Sequence, residues 1–276
     1  MWAFSKMIIL FTNNSLSKYR QNMADPLAFV PTMGALHDGH LSLVRSAKQK
    51  HFKVLVSIFV NPLQFNNPED LLKYPRTIQN DLELLEKIGV DAVFLPSVNE
   101  VYPNEHQSNV KLKNNQIENV FEGYYRPGHF DGVIQVLHRF FTQIQPNAVF
   151  FGQKDLQQCM VVKLIIDEYF PHIHFNIVET SREQNGLAMS SRNLRLSNHE
   201  LELAKEIYST LVNLRIFNLN AINVEIERLK KYEIQTEYLS YVNLPHFDVP
   251  NLAAPNQAIV FAGYLGSIRL IDNLLL

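Results

Sequence analysis

Apolar runs of strand length alternate with helically spaced apolar positions through the first two-thirds of the chain. Leu27-Ala28-Phe29-Val30 is followed, after a polar interruption, by Leu41, Val44 and Ala47 at helical spacing. Val54-Leu55-Val56-Ser57-Ile58-Phe59-Val60 is β-branched and nearly continuous, as a strand buried on both faces should be. Ile78, Leu82, Leu85 and Ile88 predict a helix that stops at Gly89, and Ala92-Val93-Phe94-Leu95 a strand that Pro96 ends. Val133, Val136, Leu137, Phe140 and Phe141 predict another helix, then Pro146 and the strand Ala148-Val149-Phe150-Phe151. A helix from about Leu156 to Tyr169 leads to Phe175-Asn176-Ile177-Val178. Such alternation predicts an α/β fold, a doubly wound Rossmann-like parallel sheet.

After Arg192 the pattern changes. Ser197-Asn198-His199-Glu200 reads as a capping box opening a helix through Leu203, Ala204, Ile207 and Leu211. A second helix carries Ile222, Ile226 and Leu229, and strand-like pieces follow near Leu239–Val242, Ala258–Ala262 and Arg269–Ile271. The expectation is a Rossmann-like domain over residues 1–180 and a smaller C-terminal α+β domain over 181–276, with Glu183 to Ser197 as the hinge.

Bulk properties narrow the classes. A chain of 276 residues with 46% hydrophobic and 19% charged residues is an ordinary globular composition with room for a sizeable core. Its net charge of −2 gives no electrostatic basis for binding nucleic acid or a membrane. One cysteine excludes an internal disulfide framework and fits a reducing, cytoplasmic setting. The stretch Met1 to Phe11 is mildly apolar, too short to span a bilayer, and lacks a small-residue cleavage site, so it reads as strand or helix.

The chemistry concentrates in Pro31-Thr32-Met33-Gly34-Ala35-Leu36-His37-Asp38-Gly39-His40. Strand, tight turn and helix start follow one another, the place where an open parallel sheet puts its ligand. Two imidazoles three residues apart at a helix N-terminus, with glycines that let a nucleotide approach the main chain, suit phosphate. His-x-x-His spacing also occurs in metal sites, but those recruit further ligands, and beyond Asp38 the single Cys159 is remote, so no protein metal site is expected.

Three other polar motifs fall at predicted strand ends: Asn61-Pro62-Leu63-Gln64-Phe65, Gly152-Gln153-Lys154-Asp155 and Arg182. In a parallel sheet they converge on one edge. Lys154 suits a nucleotide phosphate as a mobile point charge, or is a solvated lysine beside Asp155. Met189-Ser190-Ser191-Arg192 offers two hydroxyls and a guanidinium as a phosphate clamp, or is a plain polar loop. The amides of Asn61, Gln64 and Gln158 suit a small substrate bearing hydroxyl and carboxylate groups. Arg126-Pro127-Gly128-His129-Phe130 reads as a turn on a surface loop, and Tyr74-Pro75-Arg76 as a rigid helix-entry turn. With no nucleophile elbow and no Walker loop, in-line attack at a nucleotide phosphorus, catalysed by positioning and charge neutralisation, is what remains.

These motifs, in this order, resemble the pantoate–β-alanine ligases, pantothenate synthetases of the His-x-Gly-His nucleotidyltransferase superfamily, which is related to class I aminoacyl-tRNA synthetases. The resemblance runs through Pro31–His40, Phe59–Phe65, Glu69-Asp70 with Tyr74–Thr77, Arg126–Phe130, Phe151–Asp155 with Gln157-Gln158, Gly186–Asn193 and Arg269–Asn273. It implies that ATP and pantoate give pantoyl adenylate and pyrophosphate, and that β-alanine then gives pantothenate and AMP. By matching motif, ATP is bound by Met33, Gly34, Ala35, Leu36, His37, Asp38, Gly39 and His40, by Gly152, Gln153, Lys154 and Asp155, and by Met189, Ser190, Ser191 and Arg192. Ser181 matches a position that meets adenine through its backbone. Gln64 and Gln158 hold pantoate, and β-alanine enters beside Gln64. His40 is catalytic, assisted by His37, Lys154 and Arg192.

ATP and pantoate are expected to bind the 1–180 domain, with the 183–197 segment and the 181–276 domain closing over ATP as a lid, and the resemblance implies a homodimer. Asn80 stands where relatives carry an acidic residue next to the aspartate matching Asp81, which argues against a two-carboxylate magnesium site and leaves Mg²⁺ mainly on ATP oxygens. Asn185 replaces a frequent aspartate. The alternatives are another nucleotidyltransferase of the same superfamily, and a nucleic-acid-binding or inactive relative of the synthetases, which the near-neutral charge speaks against.

Overall fold

A computed structural model describes residues 7–103, 110–113, 116–216, 218–248 and 256–276. Residues 1–6, part of the N-terminal apolar stretch, lie outside the described residues, and the stretch continues as a strand. In chain order the elements are β1 (Ile8–Leu10), α1 (Asn13–Gln21), β2 (Leu27–Thr32), α2 (Asp38–Gln49), β3 (Lys53–Ile58), α3 (Pro68–Lys73), α4 (Ile78–Lys87) and β4 (Ala92–Phe94). Then come α5 (Val98–Val101), α6 (Phe121–Tyr125), α7 (His129–Ile144), β5 (Ala148–Gly152), α8 (Leu156–Tyr169) and β6 (His174–Val178). The last third holds α9 (Asn198–Asn213), α10 (Leu219–Lys231), β7 (Ile234–Asn243), β8 (Gln257–Leu265) and β9 (Ile268–Leu275). Among the described residues no helix is long and apolar enough to cross a membrane.

The chain divides into two compact units, one comprising residues 1–152 and 161–178, the other 153–160 and 179–276. The first is built on a six-stranded sheet in the order β1-β4-β3-β2-β5-β6, every described pair parallel. Leu27 to Val30 and Val54 to Val56 are fully buried, as continuous apolar runs in a two-sided parallel sheet must be. From β2 the chain steps to β3 and β4 on one side, while β5 and β6 lie on the other. The carboxyl end of β2 is therefore the switch point where such sheets bind ligands. Helix α2 covers the sheet with Leu41, Leu43, Val44 and Ala47, and each larger side chain so buried contributes about 1.5–3 kcal/mol.

Pro31 extends β2 although the strand is internal. The described pairing with β5 ends at Phe29, and the strand runs on against β3 alone, an edge-like position where proline is tolerated.

The second unit carries the antiparallel sheet β7-β8-β9. Leu229, Ile234, Tyr241, Ile259, Phe261 and Leu270 share its core with Ala204, Ile207 and Leu211 of α9. Ser197 caps α9 as its spacing predicts, its hydroxyl accepting from the Glu200 N–H while the Glu200 carboxylate accepts from the Ser197 N–H. This unit also holds the 3-10 turn Gln153–Asp155 and the first residues of α8.

Candidate active site

In the first unit the chain leaves β2 through Gly34 and Ala35, both with positive φ (81° and 50°). A non-glycine residue in that region is costly, and Asp81 of α4 supplies the compensation. One of its carboxylate oxygens accepts from the Ala35 N–H at 3.0 Å, the other from the Leu36 N–H at 2.9 Å and from the Thr77 hydroxyl at 3.1 Å. A Cβ on Gly34 would sit 3.0 Å from both Asp81 Oδ2 and Ile58 Cγ2, so close packing as well as φ demands glycine there. The main-chain N–H groups of Ala35 and Leu36 are spent on Asp81.

The two imidazoles follow at the start of α2. His37 is the N-cap of α2: its Nδ1 accepts from the Gly39 N–H at 3.2 Å, and Nδ1 of His40 accepts from the His37 N–H at 3.4 Å. The ring centroids lie 4.2 Å apart. An imidazole whose Nδ1 accepts a main-chain N–H carries its proton on Nε2 when neutral. Asp38, in the first turn, pairs with Arg45 at 3.0 Å on the exposed face.

Beyond β3, Asn61 is buried and fully committed. Its Nδ2 donates to Gln64 Oε1 (3.2 Å) and to the Gly132 carbonyl (3.0 Å), and its Oδ1 accepts from the Tyr102 hydroxyl (2.9 Å) and the Leu63 N–H (3.3 Å). Burial pushes the Tyr102 phenol up, which keeps it a donor. Asn61 is therefore a scaffold for Gln64, whose own Nε2 lies 3.0 Å from Met33 Sδ. The sequence reading of Arg126–Phe130 as a surface turn needs correction for His129. Its ring is buried at the start of α7, with Nδ1 2.8 Å from the Gln64 carbonyl. Gly128, in the left-handed conformation, turns the chain into α7, and Gly132 lets α7 pack against the Leu63 carbonyl, which a Cβ would approach to 2.3 Å.

In the second unit, Lys154 lies in the 3-10 turn after β5, mostly shielded and 3.4 Å from Asp155. The neighbouring Gln153 is buried, while Gly152 has open space where a Cβ would go. Gln158 lies in the first turns of α8. Residues 181–189 form a small hairpin: Arg182 bridges Ala188, and the Met189 N–H donates to the Ser181 carbonyl at 2.9 Å. Asn185 accepts from the Leu187 N–H through Oδ1 at 3.1 Å, a role an aspartate also fills, and its Nδ2 donates to the Leu201 carbonyl at 3.4 Å, which an aspartate cannot. Ser190 caps the 3-10 turn Ser191–Arg195 by accepting from the Arg192 N–H at 3.2 Å. Arg182 is not part of an open polar rim: its guanidinium binds Asp272 through both oxygens at 2.6 and 2.9 Å.

Asp81 does not fit a magnesium ligand, since both its oxygens already hold protein donors, and Asn80 beside it is exposed. Asn61, expected as a substrate amide, is a pin for Gln64 instead, and the pinning roles of Asp81 at the histidine turn, His129 at Gln64, and Asp272 and Asn273 in the second unit are missed in the sequence.

A family model described as pantoate-beta-alanine ligase matches residues 9–275. A pantothenate synthetase of Campylobacter hominis is 38% identical over 273 residues, covering 97% of this chain and 99% of that protein. One from Francisella tularensis subsp. novicida is 37% identical over 262 residues, covering 95% and 92%. Among solved structures, the chain is similar to the Francisella tularensis pantoate-beta-alanine ligase complexed with beta-gamma ATP and beta-alanine. The TM-score is 0.85 at 35% identity, covering 98% of this chain and 97% of that one. The pantothenate synthetase of Thermus thermophilus superposes with a TM-score of 0.89 at 34% identity, covering 97% and 99%.

Proposed function

The chain belongs to the pantoate–β-alanine ligase family, and from that premise we propose that it condenses pantoate with β-alanine in two steps driven by ATP. The pantoate carboxylate attacks the α-phosphorus of ATP, the bond to the bridging oxygen breaks, and pyrophosphate leaves with its electron pair. The β-alanine amine then attacks the acyl carbon of pantoyl adenylate, loses a proton, and expels AMP.

ATP is bound by Met33 to His40, Gly152 to Asp155, Ser181 and Met189 to Arg192; Gln64 and Gln158 hold pantoate. Negative charge builds on phosphate oxygens during the first step, and no proton leaves the nucleophile. Donors are needed there rather than a base. The observation that carries this reading is the placement of the two rings: Nδ1 of His37 and of His40 each lies within hydrogen-bond distance of a main-chain N–H, an arrangement in which a neutral ring carries its proton on Nε2 as a donor. Lys154 and Arg192 add full positive charges. Mg²⁺ enters on the nucleotide's own oxygens. By the same likeness the enzyme is proposed to be a cytoplasmic homodimer.

Purified protein given pantoate, β-alanine and Mg-ATP is expected to release AMP and pyrophosphate, with no AMP when pantoate is omitted. ADP release overturns the adenylate step. Pyrophosphate release with a phosphorylated acceptor, and none with pantoate, transfers the reading to another nucleotidyltransferase.

A further inference from the structure

Strand β9 faces the second unit's core with Ile268, Leu270 and Leu274, and strand alternation puts position 272 in the same row. That position is an aspartate, and it is buried. A carboxylate in an apolar row is tolerated only with a partner. Burial raises its pKa, while Arg182 draws it back down. Besides binding both oxygens of Asp272, the Arg182 guanidinium donates to the Gly186 carbonyl at 3.1 Å and stacks 3.9 Å over the Tyr208 ring. Tyr208 also walls the turn, leaving no room for a Cβ at Gly186. The hairpin that leads into Ser190, Ser191 and Arg192 is thus held at its base by one buried charge.

Asn273, next along the strand, uses its whole amide on a different segment. Its Nδ2 donates to the Gln153 and Lys154 carbonyls, each at 2.9 Å, and its Oδ1 accepts from Gln153 Nε2 at 3.1 Å. A lysine side chain has many rotamers, so its ammonium is placed no better than the backbone that carries it. Asp272 also steadies its neighbour, accepting from the Asn273 N–H at 2.8 Å.

We infer that Asp272 and Asn273 are the positioning residues of the second unit's cationic groups, Asp272 fixing the segment from Arg182 to Arg192 and Asn273 the turn that carries Lys154. This inference rests on the proposed role of Lys154 and Arg192 at the phosphates. It adds that their placement is set by two adjacent residues near the far end of the chain, whose side-chain polar atoms are engaged within the protein.

The test is a double-mutant cycle on the full-length enzyme, after wild-type release of pyrophosphate with pantoate has been established; its absence would sink the proposed function rather than this inference. Asn273→Leu, near in volume but without polar atoms, is expected to raise the ATP KM at least tenfold. Its thermal midpoint should stay above the assay temperature and the β-alanine KM within twofold. In a Lys154→Ala background the same substitution should change the ATP KM less than twofold, because the group it positions is gone. A folded Asn273→Leu enzyme with wild-type ATP KM, or an undiminished effect in the Lys154→Ala background, overturns the inference. If Asn273→Leu does not fold, Asp272→Asn decides, since it keeps the shape and one acceptor for Arg182. It should raise the ATP KM severalfold in the wild type and not in Arg192→Ala, and equal effects in both overturn it.

Discussion

The histidine turn of the first unit and the cationic segments of the second solve one problem differently. Around His37 and His40, the two imidazoles, their cap and their glycines lie within ten residues, and a single outside carboxylate, Asp81, locks the turn by accepting two main-chain N–H groups. In the second unit the groups of interest lie on two separate segments, and local bonds such as the 181–189 hairpin are joined by anchors from far along the chain. Their anchors sit 90 residues from Arg182 and 119 from Lys154. A compact motif advertises itself because its geometry is local. In a site assembled from distant segments the segments show in the sequence, but what holds them does not.

Those anchors do leave a common trace. The inward face of α4 carries Leu82 and Leu85, and Asp81, four residues before Leu85, is buried on that face. Asp272 stands in the inward row of β9. A charge in an apolar register is a buried charge awaiting a partner, and both cases identify a pin. Periodicity alone made the strands and long helices readable, including α8 from Leu156 to Tyr169 and the box at Ser197. The order of the strands was not readable, because parallel pairing is decided by crossovers and not by local composition. His129 escaped for a similar reason: its burial depends on Gly132 letting α7 approach the chain after β3.

The most severe way to break the comparison is Asp81→Ala. It leaves two buried main-chain N–H groups without an acceptor, at about 1–3 kcal/mol each. We expect stability to fall by about 3 kcal/mol or more in urea unfolding, and turnover by more than about 100-fold as the imidazoles lose their placement. A stable, active Asp81→Ala enzyme would mean that the turn holds itself.

His40→Ala comes next. Turnover should drop by more than about tenfold while the unfolding midpoint stays near wild type, because donors aimed at developing charge matter to the transition state far more than to the fold. Unchanged turnover would remove His40 from the catalytic groups. A smaller effect is expected of Tyr208→Leu, which keeps an apolar wall but takes the π face from Arg182. A stacking contribution of about 1 kcal/mol should appear in stability, with an ATP KM raised about threefold. Loss of stability without any change in KM would separate the Arg182–Asp272 pair from nucleotide binding.

The mildest test asks whether the segment ending at Leu196 is held locally after all, by the cap of α9. The Ser197 N–H and hydroxyl hold the Glu200 carboxyl below its ordinary value of 4.5. The folded protein therefore binds fewer protons at this group than the unfolded chain does. Its contribution is fully present above about pH 4.5 and is lost as pH falls through the lowered value. Glu200→Gln keeps an acceptor for the Ser197 N–H but cannot titrate, so the difference in thermal midpoint from wild type should be greatest near neutrality and close as pH falls toward 3. At pH 7 its ATP KM should equal that of the wild type, because Asp272, not the cap, sets the segment's position. A raised KM in this variant would shift the anchor from the distant strand to the adjacent helix, and the two regions would then be built alike.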